Sequence, residues 1–487
     1  MMQTTWLTPG RLRLCFVLLM LMSAVLVSAC QPKRHAERLG PPWNQAKMRE
    51  NVRHETDADN YTPPPLPAED QALTFEDCIV TATQNAPDLV DSVIELELAE
   101  IAADDAFWKR FPSLRAMFRV RNNLTKHYKE YSDTTYRLGI GIYDFEPITS
   151  FFQSRAAEEM KGIALFTHQQ AVEMRARQIG QSLLELDSLT KTHALQEAKR
   201  ALAQQSIAYY RTKQGEVEDK LELAKAEHAR TEAEVDMAKT ESAMASLRLR
   251  LKLMLGLDLD RQIKVRPESL DDMMQKDNLP NIFAAQSWEE IWKTTPEARM
   301  LALSAKLHDY NVLVAWTRYL PTMTMDVQTV NPRSDYLAPS SDDEIFLSLN
   351  FSIPLLDWGA RSRGVEKSYL SRVADSQRRK LARQTFAVSW KEAWQDTKMA
   401  RAEVDLAREK VTVRELEKKK RMVEEQAGTG DLGLVLTAGM EEMDAKIALE
   451  EARLKLKNEE FKSWMTAGYF RQRFFEPYKE EDTKGAL

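Results

Sequence analysis

Residues Glu344–Arg363 read EIFLSLNFSIPLLDWGARSR, and the rest of the chain makes sense around them. From Ile345 to Ile353 every odd position is apolar (Ile345, Leu347, Leu349, Phe351, Ile353), while the even positions hold Phe346, Ser348, Asn350 and Ser352. Successive strand residues point to opposite faces, so this period of two predicts a strand with one apolar and one mostly polar face. Pro354 has no N–H to give to a ladder and ends it. Past the corner Asp357-Trp358-Gly359 a long, highly charged, helix-forming run begins.

The chain is written twice. Thr74-Phe75-Glu76-Asp77 corresponds to Ser287-Trp288-Glu289-Glu290, and Ala86-Pro87-Asp88-Leu89 to Thr295-Pro296-Glu297-Ala298. Pro87 and Pro112 stand 25 residues apart, as do Pro296 and Pro321. Equal spacing with matching flanks is the mark of an internal repeat. After each second proline comes a strand pair, predicted at about 113–121 and 136–146, then about 322–330 and 344–353, each closed by a proline, Pro147 and Pro354.

No strong breaker interrupts 150–214 or 361–426, so each predicts a helix on the order of 100 Å long. Both reach a glycine turn, Gln214-Gly215-Glu216 and Ala427-Gly428-Thr429-Gly430, and reverse. The return helices, 217–255 and 434–470, are near 60 Å, and the incoming runs, 74–111 and 287–320, about 50 Å. An incoming and a return helix stacked end to end therefore match one long helix. The expected organisation is a first repeat at 74–256, an equatorial linker at 257–286, a second repeat at 287–470 and a tail at 471–487.

Arg11 and Arg13 precede an almost wholly apolar run, Leu14 to Val27, that Val27-Ser28-Ala29-Cys30 closes. The run is shorter than the roughly 20 residues of a spanning helix and reads as a signal peptide, 1–29. The last four residues resemble the lipobox of bacterial lipoproteins, which implies cleavage before Cys30 and its lipidation; an uncleaved anchor or an ordinary cleaved signal is the alternative. The proline-rich segment 30–73 reads as an extended tether. With Cys30 acylated, Cys78 has no internal partner and reads as a buried small thiol.

Across 487 residues the chain has 29% charged and 8% aromatic residues and a formal charge of −6, the profile of long solvated helices with no nucleic-acid footprint. The fold class is mainly α with a small β part. Four strands cannot close a barrel, and an open edge facing lipid would leave backbone groups unpaired at several kcal/mol each. Apolar residues alternating with arginine, aspartate, glutamine and serine give the lipid-out, water-in pattern of an outer-membrane barrel; a soluble sandwich is the rival. Closure demands further copies: two give eight strands, three give twelve, and physics alone does not choose.

The order strand, Pro354-Leu355-Leu356-Asp357-Trp358-Gly359-Ala360-Arg361, long helix resembles the outer-membrane factors of the TolC family. So do Leu320-Pro321 opening a strand, the tip Ala427-Gly428-Thr429, and Leu253-Met254-Leu255-Gly256-Leu257 closing the first repeat. The likeness covers nearly all of 74–470, and the lipobox resembles the lipoprotein branch. It implies a homotrimer with a twelve-stranded barrel in the outer membrane and a helical tunnel in the periplasm. The implied partners are outer-membrane lipid, a periplasmic adaptor and an inner-membrane pump. The first repeat departs from the pattern: Pro147-Ile148-Thr149-Ser150-Phe151-Phe152 lacks the glycine corner.

On that resemblance Gly215, Gly428, Thr429 and Gly430 would meet the adaptor, although glycines also simply permit tight turns. Glu216, Glu218, Asp219 and Asp431 would ring the periplasmic entrance, where acids favour cations; the alternative is an ordinary solvated helix end. Arg115, Arg119, Arg121, Asp326 and Gln328 would face the barrel lumen, although strand ends also carry arginines as interface anchors. Gly428-x-Gly430-x-x-Gly433 mimics a dinucleotide fingerprint but follows a charged helix rather than a strand, and Ser188-Leu189-Thr190-Lys191 lies within a helix without partners. The seven histidines show no ligand spacing. No metal, cofactor or enzymatic activity is expected. An adaptor lipoprotein would have one hairpin between split lipoyl-like halves, and a pore-free coiled-coil lipoprotein would need neither strand pairs nor split helices.

Overall fold

Prolines and capping residues set the helix starts. In the computed structural model, which describes residues 72–121, 135–213, 217–276, 287–331, 344–353 and 357–475, Thr74 caps helix α1 (Phe75–Asn85) in a reciprocal box with Asp77. Pro87 opens α2 (Pro87–Trp108), Pro147 opens α3 (Pro147–Thr212) and Pro296 opens α7 (Pro296–Thr317), each in the first turn, where a missing N–H costs nothing. The remaining helices are α4 (Val217–Met254), α5 (Glu268–Lys276), α6 (Trp288–Thr294), α8 (Ala360–Gln426), α9 (Leu432–Ala467) and α10 (Tyr469–Phe474).

Each incoming run, continuous in the sequence reading, is in fact two helices. Ala86 (φ −72°, ψ 121°) and Thr295 (φ −68°, ψ 143°) are extended, because a following proline excludes the residue before it from the helical region. Residues 471–475, expected as the start of a tail, lie in and just after α10 and bury Phe474 and Phe475. The last two residues of the expected tether form β1 (Ala72–Leu73), parallel to β4 (Lys264–Val265) in the expected linker.

The strands β2 (Leu114–Arg121), β3 (Thr135–Phe145), β5 (Thr322–Asn331) and β6 (Glu344–Ser352) form one antiparallel sheet in the order β2-β3-β5-β6. The two repeats are thus joined through β3 and β5. Helix α3 (66 residues) packs on α2 (22) and α4 (38) along one side and on α7 (22) and α9 (36) along the other; α8 (67) packs on α7 and α9. Continuous rods about 100 Å long therefore alternate with split ones. At the split in the first repeat, Gly256 (φ +66°) lies so close to the α1–α2 break that a Cβ would fall 2.2 Å from the Asn85 carbonyl oxygen.

The core sits where the splits meet. Phe75, Ile79, Leu89, Ile179, Leu183, Leu251, Leu255, Phe461, Trp464 and Phe470 are all but fully buried there. Gly180 admits the Phe461 ring, whose Cζ would stand 2.3 Å from an added Cβ. Cys78 is buried in the same cluster, and burial pushes its thiol up to about 12, which leaves it unreactive.

Candidate functional site

The sheet registers like with like. Leu114↔Ile142, Ile142↔Met325 and Met325↔Leu349 form one row, and Ala116↔Ile140, Ile140↔Val327 and Val327↔Leu347 the next. All the apolar alternating positions therefore share one face across four strands. Leu347, Leu349, Phe351 and Ile353 are each more than half exposed, so among the described residues no layer covers that face there. Positions Arg115, Arg119, Arg121, Asp326 and Gln328 share the opposite face, with Arg115, Gly141, Asp326 and Ser348 in one row. Among the described residues strands β2 and β6 each have one neighbour and one free edge.

The two strand-to-helix junctions differ in the way the missing glycine implied. Entering α8, Trp358 (φ 53°) and Gly359 (φ 78°) are both left-handed. Asp357 fixes this corner by accepting from the Gly359 and Arg361 N–H groups, both at 3.1 Å. Entering α3, Pro147 starts the helix directly after Glu146, and the Phe151 ring takes the guanidinium groups of Arg110 (4.9 Å) and Arg155 (5.6 Å).

At the far end, Gly428 (φ +76°) reverses the second hairpin while the Glu424 carbonyl accepts from the Thr429 N–H (3.0 Å), Thr429 Oγ1 (3.0 Å) and Gly430 N–H (2.9 Å). Gly430 is required by space as well: a Cβ would lie 2.7 Å from Glu425 N. Gly215 and Glu216 lie outside the described residues, as does Cys30, and Glu218 and Asp219 occupy the first turn of α4.

Asp431 is not a free acid in the chain. One carboxylate oxygen accepts from the Tyr209 hydroxyl and the Gly433 N–H (3.1 Å), and the other pairs with Lys213 Nζ (3.1 Å). Lys213 also lies over the Tyr209 ring at 4.8 Å. Partial burial alone would raise the Asp431 pKa, but the hydrogen bonds from Tyr209, Gly433 and Lys213 outweigh it and hold the carboxyl below its ordinary range. Lys213 in turn donates to the Tyr209 oxygen and to the Asp431 carboxylate, and these bonds hold its pKa above the ordinary range. Gly433 lets the hairpins close, since a Cβ there would fall 2.0 Å from the Tyr210 hydroxyl. Tyr209, Tyr210 and Lys213 escaped the sequence reading; the available signal was a pair of tyrosines one turn before a charged tip. Higher up, Lys199 ties Glu232 of its own hairpin (3.2 Å) to Asp444 of the other (2.8 Å).

Among the described residues no group of three or more His, Cys, Asp or Glu is placed to hold a metal ion, and no helix is long and apolar enough to cross a membrane.

No family model matches the chain, and no curated protein gives a significant match. Solved structures do match. A membrane protein from Pseudomonas aeruginosa superposes with a TM-score of 0.70 at 14% identity, over 82% of this chain and 90% of that one. The open state of the MtrE outer membrane channel of Neisseria gonorrhoeae gives 0.69 at 15% identity, over 81% and 88%. CusC, solved in a study of folding and transmembrane channel formation, gives 0.67 at 16% identity, over 84% and 98%. With most of each chain superposed, the duplicated hairpins and paired strands have the fold of TolC-type outer-membrane channels.

Proposed function

We propose that the chain is one segment of an outer-membrane export duct, passively conducting cargo that an inner-membrane pump delivers through a periplasmic adaptor. The single observation that carries this reading is the sheet: its apolar positions align on one uncovered face, and both its edges are free. A lipid-facing wall needs the first property, and a wall completed by copies of itself needs the second. Strands of 8, 11, 10 and 9 residues are about the length that crosses a bilayer when tilted.

The helices support the same closure. Met399, Leu406 and Val413 recur every seven residues along α8, with Leu416 and Val423 on the adjoining rows, and all five are exposed. Such a seam is made for a facing helix. At the other edge of the wall, α2 and α4 expose Leu98, Ile101, Leu221, Val235, Leu249 and Leu253. Joining edge to edge in a closed ring, three chains give a twelve-stranded barrel above a helical tunnel. Lipid on Cys30 tethers each chain to the outer membrane. The tips, Gly215, Gly428, Thr429 and Gly430, receive the adaptor, and docking parts the clasp at Asp431, with Glu216, Glu218 and Asp219 beside the entrance. Arg115, Arg119, Arg121, Asp326 and Gln328 set the field of the lumen.

Conductance in planar bilayers tests this. The purified protein is expected to form channels. Silence, both in wild type and with Asp431, Glu216, Glu218 and Asp219 neutralised, sinks the duct and leaves a pore-free lipoprotein.

A further inference from the structure

The helical body meets the sheet on a repeated pattern, Trp-x-Arg-aromatic. Helix α2 ends in Trp108-Lys109-Arg110-Phe111 and α7 in Trp316-Thr317-Arg318-Tyr319, and in each case the strand starts three residues later. Trp108, Phe111, Trp316 and Tyr319 are 43%, 39%, 50% and 41% exposed, and Trp358 in the α8 corner is 82% exposed. Basic groups are threaded among these rings. The Arg110 guanidinium lies 5.3 Å from the Phe107 ring and 4.9 Å from that of Phe151, and Arg361 lies 5.4 Å from Tyr319.

Helix dipoles explain only half of this charge. Lys109, Arg110 and Arg318 follow the C-terminal ends of α2 and α7, where a cation is favoured. Arg361 and Arg363 sit instead in the first turn of α8, where a cation opposes the dipole. Arg361 is offset by Asp357 at 3.1 Å, whereas Arg363 donates to the Trp358 carbonyl at 2.9 Å. Neither α3 nor α8 has an acidic residue in its first turn, although α1, α2, α6 and α7, which start away from the sheet, all do. Asp104, Asp105, Glu146 and Asp357 offset part of the charge at this level. Beside them stand Lys109, Arg110, Arg318, Arg361 and Arg363 and the two positive helix ends, which face the sheet.

We propose that this collar docks the anionic phospholipid headgroups of the membrane leaflet nearest the helical body. The rings seat among the acyl-chain ends and glycerol groups, and Lys109, Arg110, Arg318 and Arg363 bind the phosphates. The inference rests on the duct reading and deepens it. The collar is continuous with the lipid-facing strand: the exposed Ile353 stands four residues before Asp357. Its charge matches an anionic surface, not a zwitterionic one.

Lys109, Arg318 and Arg363 are exposed, so changing them spares the packing. Detergent-purified wild type and a Lys109→Gln/Arg318→Gln/Arg363→Gln variant are titrated with phosphatidylglycerol or phosphatidylethanolamine. Native mass spectrometry counts the bound lipid and thermal unfolding follows stability. Wild type is expected to prefer phosphatidylglycerol and gain stability from it. The variant should bind that lipid about tenfold more weakly, and Arg318→Lys/Arg363→Lys should restore binding. Equal binding of the two lipids by wild type, or undiminished phosphatidylglycerol binding by the variant, overturns the proposal. Stabilisation by inorganic phosphate alone to the same degree overturns it too, in favour of a free-anion site. Wild-type channels in bilayers without any lipid preference sink the collar and spare the duct, whereas no channels at all sink the duct.

Discussion

Where the middle of α3 meets the ends of α4 and α9, aromatic rings run in an unbroken series: Phe75 on Phe461 (6.0 Å), Phe461 on Trp464 (6.0 Å), Trp464 on Phe470 (6.3 Å) and Phe470 on Phe474 (4.6 Å). Further along α3, about 30 Å on at Lys199 and about 45 Å on at Tyr209, the same rod is tied to the second hairpin by charge: Lys199 to Asp444, then Lys213 and Tyr209 to Asp431. The two regions differ in what it costs to separate them. Apolar packing is lost all at once and leaves a cavity. Ion pairs with a partner still open to solvent, as Asp444 and Lys213 are, are worth only about 0–1 kcal/mol, and water or a new partner replaces the exposed group. A rod fixed at its middle and loosely pinned at its tips is the mechanical form that the proposed duct, opening at one end, requires.

The largest effect should come from emptying the middle. Trp464→Ala or Phe461→Ala is expected to cost about 3–5 kcal/mol, seen as a lowered denaturant or thermal midpoint. Lys199→Met, which removes the mid-hairpin tie, should move the midpoint far less. Equal losses for the two changes would erase the distinction between the regions.

Next comes a pH effect within the upper body. His168 on α3 is buried, and its Nδ1 lies 2.7 Å from Ser92 Oγ on α2. The Ser92 hydroxyl also lies 2.7 Å from the Leu89 carbonyl, so the neutral imidazole is held in a hydrogen-bonded chain between α3 and α2. Burial lowers the His168 pKa from 6.5 to about 4. The unfolded chain therefore takes up this proton first as the pH falls. The stability at stake, about 3 kcal/mol, is intact above pH 6.5 and is lost progressively down to about pH 4. Thermal melts from pH 7 to 4 should show the loss, and His168→Gln should flatten it. An unchanged slope in that variant would assign the acid sensitivity elsewhere.

Much of the architecture was legible because it rests on local rules. Prolines spaced 25 apart mark the repeats, and the alternation from Ile345 to Ile353 marks a two-faced strand. The breaks before Pro87 and Pro296 were less visible, since a continuous apolar pattern hid a backbone restriction that acts one residue upstream. Gly468 (φ +87°) was missed as well: it ends α9 and turns Phe470, Phe474 and Phe475 back into the core. The tip clasp could not be read at all. Tyr209 and Asp431 are 222 positions apart, and only the pairing of the two hairpins brings them together. Sequence singled out Asp431 for its place beside a glycine turn, whereas the structure supplies the partners that define its chemistry.

The clasp offers the smallest but most specific break. Asp431→Ala removes the acceptor that Tyr209, Lys213 and the Gly433 N–H at the start of α9 share, while leaving the turn glycines themselves and the middle in place. Hydrogen bonds to a charged group carry about 1.5–3 kcal/mol, and solvent at the tip reduces this, so the closed-to-open balance should shift about tenfold. Single-channel recordings should show longer open times or larger conductance, with the melting midpoint lowered by no more than the loss of one helix cap, about 0.5–2 kcal/mol. The pH dependence follows from both partners. Asp431 titrates below its ordinary range, so its contribution holds above that range and fails as the pH falls through the lowered value. Lys213 titrates above its ordinary value, so its contribution holds below that value and fails only as the pH rises through the raised one. Wild-type gating should therefore stay flat from roughly pH 5 to 9 and loosen in stronger acid. Tyr209→Phe should weaken both limbs, since its hydroxyl is bonded to Asp431 and to Lys213 alike. Recordings of Asp431→Ala indistinguishable from wild type would mean that the tips are held by contacts between chains, and the contrast between a fixed middle and a pinned tip would have to be redrawn around them.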